Sequence, residues 1–199
     1  MTEQTAKPAP FLTDRFDTAL AYASRTHRLQ TRKGSGIPYV SHLLAVAAIA
    51  LENGADEDQA IAALLHDAAE DQGGEARLAD IRAHFGADVA AMVDHCTDTH
   101  EEPKPDWRPR KEAYVASLAA KPVRSLEVSL ADKTHNASAI NADLRAHGAE
   151  VWERFTGRKD GTLWYYRALA DVFAELVPGL AAQRFAREVA EMEELAARF

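Results

Sequence analysis

The 199-residue chain has one cysteine, Cys96. A single thiol excludes an intramolecular disulfide framework and a zinc site built on cysteines, and it fits a reducing compartment. Positive charge is also scarce. There are 23 Lys and Arg against 31 Asp and Glu, a formal net charge of −8. That deficit argues against nucleic acid as a partner, because phosphate-backbone binding needs a surplus of Lys and Arg on some face. Long apolar runs are missing. The longest, residues 43–51, is far too short to span a bilayer, so no membrane association is expected. The first ten residues, MTEQTAKPAP, are polar, carry two prolines and lack the apolar stretch of a signal peptide. Residues 1–10 are expected to be a disordered tail, residues 11–199 one domain, and the protein soluble and cytoplasmic.

The pattern that is present is helical. Leu12, Phe16, Ala19, Leu20 and Ala23 recur at spacings of three and four and mark one buried stripe. TRKGSGIP then breaks the pattern with two glycines and a proline. A second helix is expected from an N-cap at Ser41 to a stop at Asn53-Gly54. Asp56 and Gln59 form a capping box for a third, which runs unbroken to Asp71, before Gly73-Gly74. Further helices are read over 76–85, 87–96, 107–119, 123–147, 163–176 and 180–197, with Pro122 in the first turn of the long one. No alternating apolar run flanked by hairpin turns is found. The expected fold is a single compact all-α domain of roughly eight to ten helices.

Chemistry concentrates in Leu64-Leu65-His66-Asp67-Ala68-Ala69-Glu70-Asp71. On a continuous helix, a spacing of four sets Glu70 beside His66 and Asp71 beside Asp67. Three carboxylates and an imidazole then crowd one patch behind an apolar AIAALL stretch. Such crowding needs a cation or protons to neutralise it, and a divalent metal is the simplest remedy. A solvated helix end is the bland alternative. Two other segments weigh against it. His42 opens an apolar helix directly after the Gly-rich loop. Asp132 lies on an apolar helix, one turn from Asn136 and on the same face.

Taken together, His42, His66-Asp67 and Asp132 resemble the H…HD…D signature of the HD superfamily of metal-dependent phosphohydrolases. The blocks RKGSGIPYVSH, LLHDAAED, FGADVAAMVDHCTD and LADKTHN, in that order, resemble the (p)ppGpp hydrolase domain of Rel/SpoT enzymes and the small alarmone hydrolases. The resemblance implies an HD-domain helical fold. It makes His42, His66, Asp67 and Asp132 the ligands of one Mn²⁺; the donor set by itself suits Zn²⁺ or Fe²⁺ equally. It gives Glu70 and Asp71 the work of orienting a water and moving its proton. It assigns Arg32, Lys33, Ser35, Asn136 and Tyr165 to substrate binding.

The implied reaction is hydrolysis of the 3′-pyrophosphate of a (p)ppGpp-type alarmone, or an adenosine analogue, to GDP or GTP and pyrophosphate. The partner is then a small purine nucleotide, and a homodimer is left open. Two features depart from the family pattern. Gly34 is an extra residue between Lys33 and Ser35, and Ala137-Ser138-Ala139 follows Asn136 where a contact to base or ribose is expected. Arg108, Arg110 and Lys111 cluster after the Pro-rich loop, where contact with distal phosphates is one reading and a solvated basic patch the favoured one. The rival functions are an HD nucleotidase or phosphatase acting on a 5′-nucleotide, dNTP or NADPH, a non-catalytic nucleotide sensor, and a metal-free helical interaction domain.

Overall fold

The computed structural model of the chain describes residues 12–99 and 103–199. The tail expected at residues 1–10 lies outside them. Ten α-helices and two 3₁₀ segments are found among the described residues: α1 Asp14–Thr26, α2 Val40–Glu52, α3 Glu57–Leu65, α4 Ala68–Asp71, α5 Gly74–Phe85, α6 Ala87–Cys96, α7 Trp107–Ser117, α8 Val123–His147, α9 Arg158–Leu176 and α10 Leu180–Ala196. The 3₁₀ segments, Leu118–Ala120 and Gly148–Arg154, flank α8. The described residues form no sheet; Thr31 and Pro38 make an isolated antiparallel bridge across the Gly-rich loop. No described helix is long and apolar enough to cross a membrane.

Two apolar clusters build the interior. The first joins α1 to α6, with Leu43, Val46, Ile61, Leu64 and Val93 fully or almost fully buried. The second joins α7 to α10 around Leu144, Leu169, Phe173 and Phe185. Helix α8 belongs to both: Val128 and Ala131 face the first cluster, and Leu126, Leu130 and Leu144 face the second. Its 25 residues make a rod about 37 Å long, so Asp132 is carried to the seam between the clusters on a rigid element.

Several terminal signals act as expected. The Asp56–Gln59 capping box forms with both reciprocal hydrogen bonds, 3.0 and 3.1 Å. Others do not. Ser41 is not the N-cap of α2; that helix begins at Val40, with Tyr39 at the cap and no side-chain cap hydrogen bond. Pro122 stands just outside the first turn of α8, where its missing N–H removes no helical bond. Helix α9 starts at Arg158 instead of 163, and the 3₁₀ segment before it gave no periodic signal.

The largest departure is at the chemistry-bearing segment. The third helix is not continuous: α3 stops at Leu65, His66 and Asp67 form a turn, and α4 resumes at Ala68. Adjacent residues on an unbroken helix point about 100° apart. The turn lets the neighbouring His66 and Asp67 aim at the same point.

Candidate metal centre and substrate cleft

Four side chains from three parts of the chain converge. His42 comes from the first turn of α2, His66 and Asp67 from the turn between α3 and α4, and Asp132 from the middle of α8. The Nε2 atoms of His42 and His66 lie 3.2 Å apart. Asp67 Oδ2 is 3.4 Å from His42 Nε2 and 3.0 Å from His66 Nε2. Asp132 Oδ1 is 3.2 and 3.4 Å from the same two nitrogens. His42, His66 and Asp67 form a group whose ligand atoms all lie within 4.8 Å of one another. Both histidines are buried, and Asp132 is 4% exposed.

Surrounding groups fix these donors. His66 Nδ1 is 2.8 Å from the carbonyl oxygen of Ala63, to which it donates. In a neutral imidazole that leaves a lone pair on Nε2, turned to the focus. Tyr39 Oη donates to Asp67 Oδ2 at 2.5 Å, and Lys133 Nζ donates to Asp132 Oδ2 at 2.6 Å. His42 Nδ1 and His135 Nδ1 are 2.8 Å apart. Burial opposes charge on His66, yet Asp67 and Asp132 outweigh it and hold the imidazole well above its ordinary pKa. The focus therefore attracts positive charge. The two imidazole nitrogens and the Asp67 oxygen fit a divalent cation of borderline hardness, and Asp132 Oδ1 lies within 3.4 Å of both nitrogens.

Glu70 and Asp71 follow on α4, and they are held differently. Asp71 Oδ2 accepts from Gln30 Nε2 at 2.7 Å. Gln30 Oε1 is in turn fixed by Gln72 Nε2 and His27 Nδ1, each at 2.7 Å. Burial, and then the Asp67 charge, push the Asp71 pKa up. Glu70 is paired with Lys104 at 2.8 Å and accepts from the Asp98 backbone N–H at 3.4 Å. Of the two, Asp71 feels the Asp67 charge, and Glu70 ties α4 to the segment before α7.

A cleft of about 680 Å³ opens beside this centre. Arg32, Lys33, Ser35, Asn136 and Tyr165 all line it, as does Asp71. Arg32 Nη2 donates to Asn136 Oδ1 at 2.7 Å, and Asn136 Nδ2 donates to Asp132 Oδ1 at 2.6 Å. The Arg32 guanidinium also lies 5.7 Å from the centroid of the Tyr39 ring. Tyr165 is buried, its hydroxyl has no hydrogen-bond partner, and burial raises its pKa. The expected basic patch is corrected here. Arg110 and Lys111 are not solvated: both close on Asp98, at 2.6 and 2.5 Å, and are 13% and 18% exposed. Arg108 stacks 3.4 Å over the Trp164 ring and pairs with Glu112.

Tyr39, His135, Lys133 and Gln30 were not singled out from sequence. His135 lies within the quoted LADKTHN block and Tyr39 three residues before His42, but nothing in a one-dimensional pattern shows which neighbour turns inward.

An all-helical domain that gathers this donor set at a helix break is the architecture of a metal-dependent phosphohydrolase. Residues 19–163 match the HD domain family, and the chain belongs to it. The chain is 36% identical over 126 residues to the human guanosine-3′,5′-bis(diphosphate) 3′-pyrophosphohydrolase MESH1, an alignment covering 62% of this chain and 68% of that one. It is 34% identical over 134 residues to the bifunctional (p)ppGpp synthase/hydrolase SpoT of Escherichia coli K12, covering 64% of this chain and 18% of SpoT. It thus spans about two thirds of the shorter relative and a small part of the longer one. A solved structure of a metazoan SpoT ortholog described as hydrolysing ppGpp superposes with a TM-score of 0.75 at 27% identity, over 94% of this chain and 99% of that one. The crystal structure of lmo0812 from Listeria monocytogenes EGD-e gives a TM-score of 0.65 at 28% identity, over 81% and 99%.

Proposed function

We propose that this chain hydrolyses the 3′-diphosphate of a purine nucleoside 3′,5′-bis(diphosphate), with Mn²⁺ held by His42, His66, Asp67 and Asp132. Water adds to the phosphorus on the ribose 3′-oxygen. The 3′-oxygen leaves with a proton, giving the nucleoside 5′-diphosphate and pyrophosphate. The observation that carries the reading is the four-donor focus beside a cleft lined by Arg32 and Lys33. The named activities of MESH1 and SpoT support the choice of substrate. The ligand is a small nucleotide met in the cytoplasm.

A divalent cation bound at this focus supplies neutralisation of the scissile phosphoryl group and acidifies a water. The chain's own residues do the rest. Asp71, with a pKa raised by burial and by Asp67, accepts the proton of the attacking water, and Gln30 fixes the carboxylate that receives it. Arg32 offsets phosphate charge while Asn136 holds it beside Asp132. Lys33 adds a second cation from the same loop, and Ser35 a hydroxyl. Tyr165 offers its unpartnered hydroxyl to the ligand.

The test is to incubate purified protein with ppGpp and Mn²⁺ and to resolve the products. Equal amounts of GDP and pyrophosphate, abolished by EDTA, are expected. Turnover that persists in EDTA, or no turnover of any 3′-pyrophosphorylated nucleotide, contradicts the proposal. A panel with 5′-mononucleotides, dNTPs and NADPH separates it from a general HD nucleotidase.

A further inference from the structure

The cleft continues along α8 well beyond the metal centre. Asn136, Ala139, Ile140 and Asp143 line it in succession. Asp143 stands three helical turns past Asp132, roughly 16 Å along the axis. At that far end the 3₁₀ segment Gly148–Arg154 delivers Arg154 into the cleft wall. Arg154 Nη1 donates to Asp143 Oδ2 at 2.9 Å, which fixes the guanidinium without burying it; the side chain is 20% exposed.

The stem of Arg154 runs across the Gly-rich loop at Gly34. A Cβ on Gly34 would lie 2.6 Å from Arg154 Cδ, and the backbone there has φ of +79°. Glycine is needed twice at this point, for the left-handed turn and for the passage of the stem. Gly34 is also the residue by which the loop departs from the family pattern. An inserted glycine and an arginine from a segment 120 residues away therefore meet at one place. The metal centre makes no use of either.

Along its α8 wall the cleft thus has a cation at each end and apolar side chains between. The inner end has Arg32 and Asn136, whose amide is bonded to Asp132 of the metal focus; the middle has Ala139 and Ile140, and the outer end has Arg154 paired with Asp143. A nucleotide with phosphates on both sides of its ribose has the matching pattern. We infer that Arg154, seated on Gly34, binds the 5′-phosphates of the substrate while its 3′-phosphates lie at the metal centre. This rests on the nucleotide reading above and names the part of the substrate that the outer end selects.

The experiment compares two probes that share a 3′-phosphate, guanosine 3′,5′-bisphosphate and guanosine 3′-monophosphate, by calorimetric titration of the Mn²⁺-loaded protein. The wild type should prefer the bisphosphate by roughly tenfold or more, the value of one charge-assisted contact. Arg154→Gln should remove that preference and leave the affinity for the 3′-monophosphate within about twofold. Arg154→Lys should keep part of the preference. Gly34→Ala, which leaves the charge in place but displaces the stem, should weaken it.

A wild type with no preference overturns the inference. So does an Arg154→Gln variant that keeps the preference, or one that loses affinity for both probes equally, as general damage would. Absence of ppGpp turnover in the wild type contradicts the proposed reaction and leaves this binding comparison intact.

Discussion

Arg32 and Asp132 share one amide. Asn136 donates to Asp132 Oδ1 at 2.6 Å and accepts from Arg32 Nη2 at 2.7 Å. The loop before α2 is thereby tied to the middle of α8, and the guanidinium of Arg32 is held one side chain from the Asp132 carboxylate. Asn136→Ala should free Arg32 and raise KM for the alarmone roughly tenfold, the size of one hydrogen bond to a charged group. Bound Mn²⁺ should stay near one equivalent. Steady-state kinetics with elemental analysis check both, and an unchanged KM would show that this link does nothing for the substrate.

Gln30 and Asp71 should behave as a unit. Asp71→Asn removes the proposed proton acceptor and should lower kcat by about 10²- to 10⁴-fold. Gln30→Ala should lower kcat less, with KM little changed, because it frees the carboxylate without removing it. The double variant should be no slower than Asp71→Asn alone, since groups that act together are not additive. Multiplying effects in the double variant would mean that Gln30 acts elsewhere.

Acid should weaken the fold through Asp98. Burial opposes the charge on this carboxylate, but Lys111 and Arg110 outweigh it and hold the pKa down to about 2. The folded value lies below the unfolded one, near 3.8. The stabilisation is therefore complete above about pH 4 and is lost as pH falls through about 2. At about 1.4 kcal/mol per pKa unit it is worth about 2 kcal/mol. Asp98→Asn should destabilise by about that much or more at pH 7, where it also leaves two buried cations unpaired. Urea unfolding of both proteins across pH should show the gap closing toward pH 2; a constant gap contradicts the account.

Gly157 has ordinary backbone angles, φ −73°, so its reason for being glycine is space. A Cβ there would sit 2.6 Å from Cη2 of Trp107, a rigid ring in the cleft wall. Gly157→Ala should therefore cost about 1–3 kcal/mol by overpacking and lower Tm by several degrees. An unaltered melting curve would show that the indole moves aside freely.

Much of this was legible in the sequence. The Asp56–Gln59 box and the span of α8 follow from local chemistry that tertiary contacts leave alone; of the expected α1 stripe, Ala19 and Ala23 are buried and Phe16 and Leu20 half-buried, but Leu12 precedes the helix and is 42% exposed. The convergence of His42, His66, Asp67 and Asp132 was legible through motif order. The turn at His66-Asp67 was not, because Ala, Leu, Glu and Asp on either side all continue a helix and neither Gly nor Pro marks the break. The break coincides with the convergence of both side chains on one focus, a long-range feature that local sequence does not carry. The Arg110–Lys111–Asp98 cluster was missed for a similar reason: a run of cations reads as solvated until a carboxylate from another segment is known to face it. Arg154 lies in a segment with no periodic pattern, and its meeting with Gly34 exists only in three dimensions.

Side chains from α2, the α3–α4 turn and α8 are proposed to hold one divalent cation. Crystals grown with Mn²⁺ and measured at its absorption edge test this directly. The account predicts one strong anomalous peak at about 2.0–2.3 Å from His42 Nε2, His66 Nε2 and an oxygen each of Asp67 and Asp132. A peak that misses any two of these donors, or no peak above noise, would contradict it.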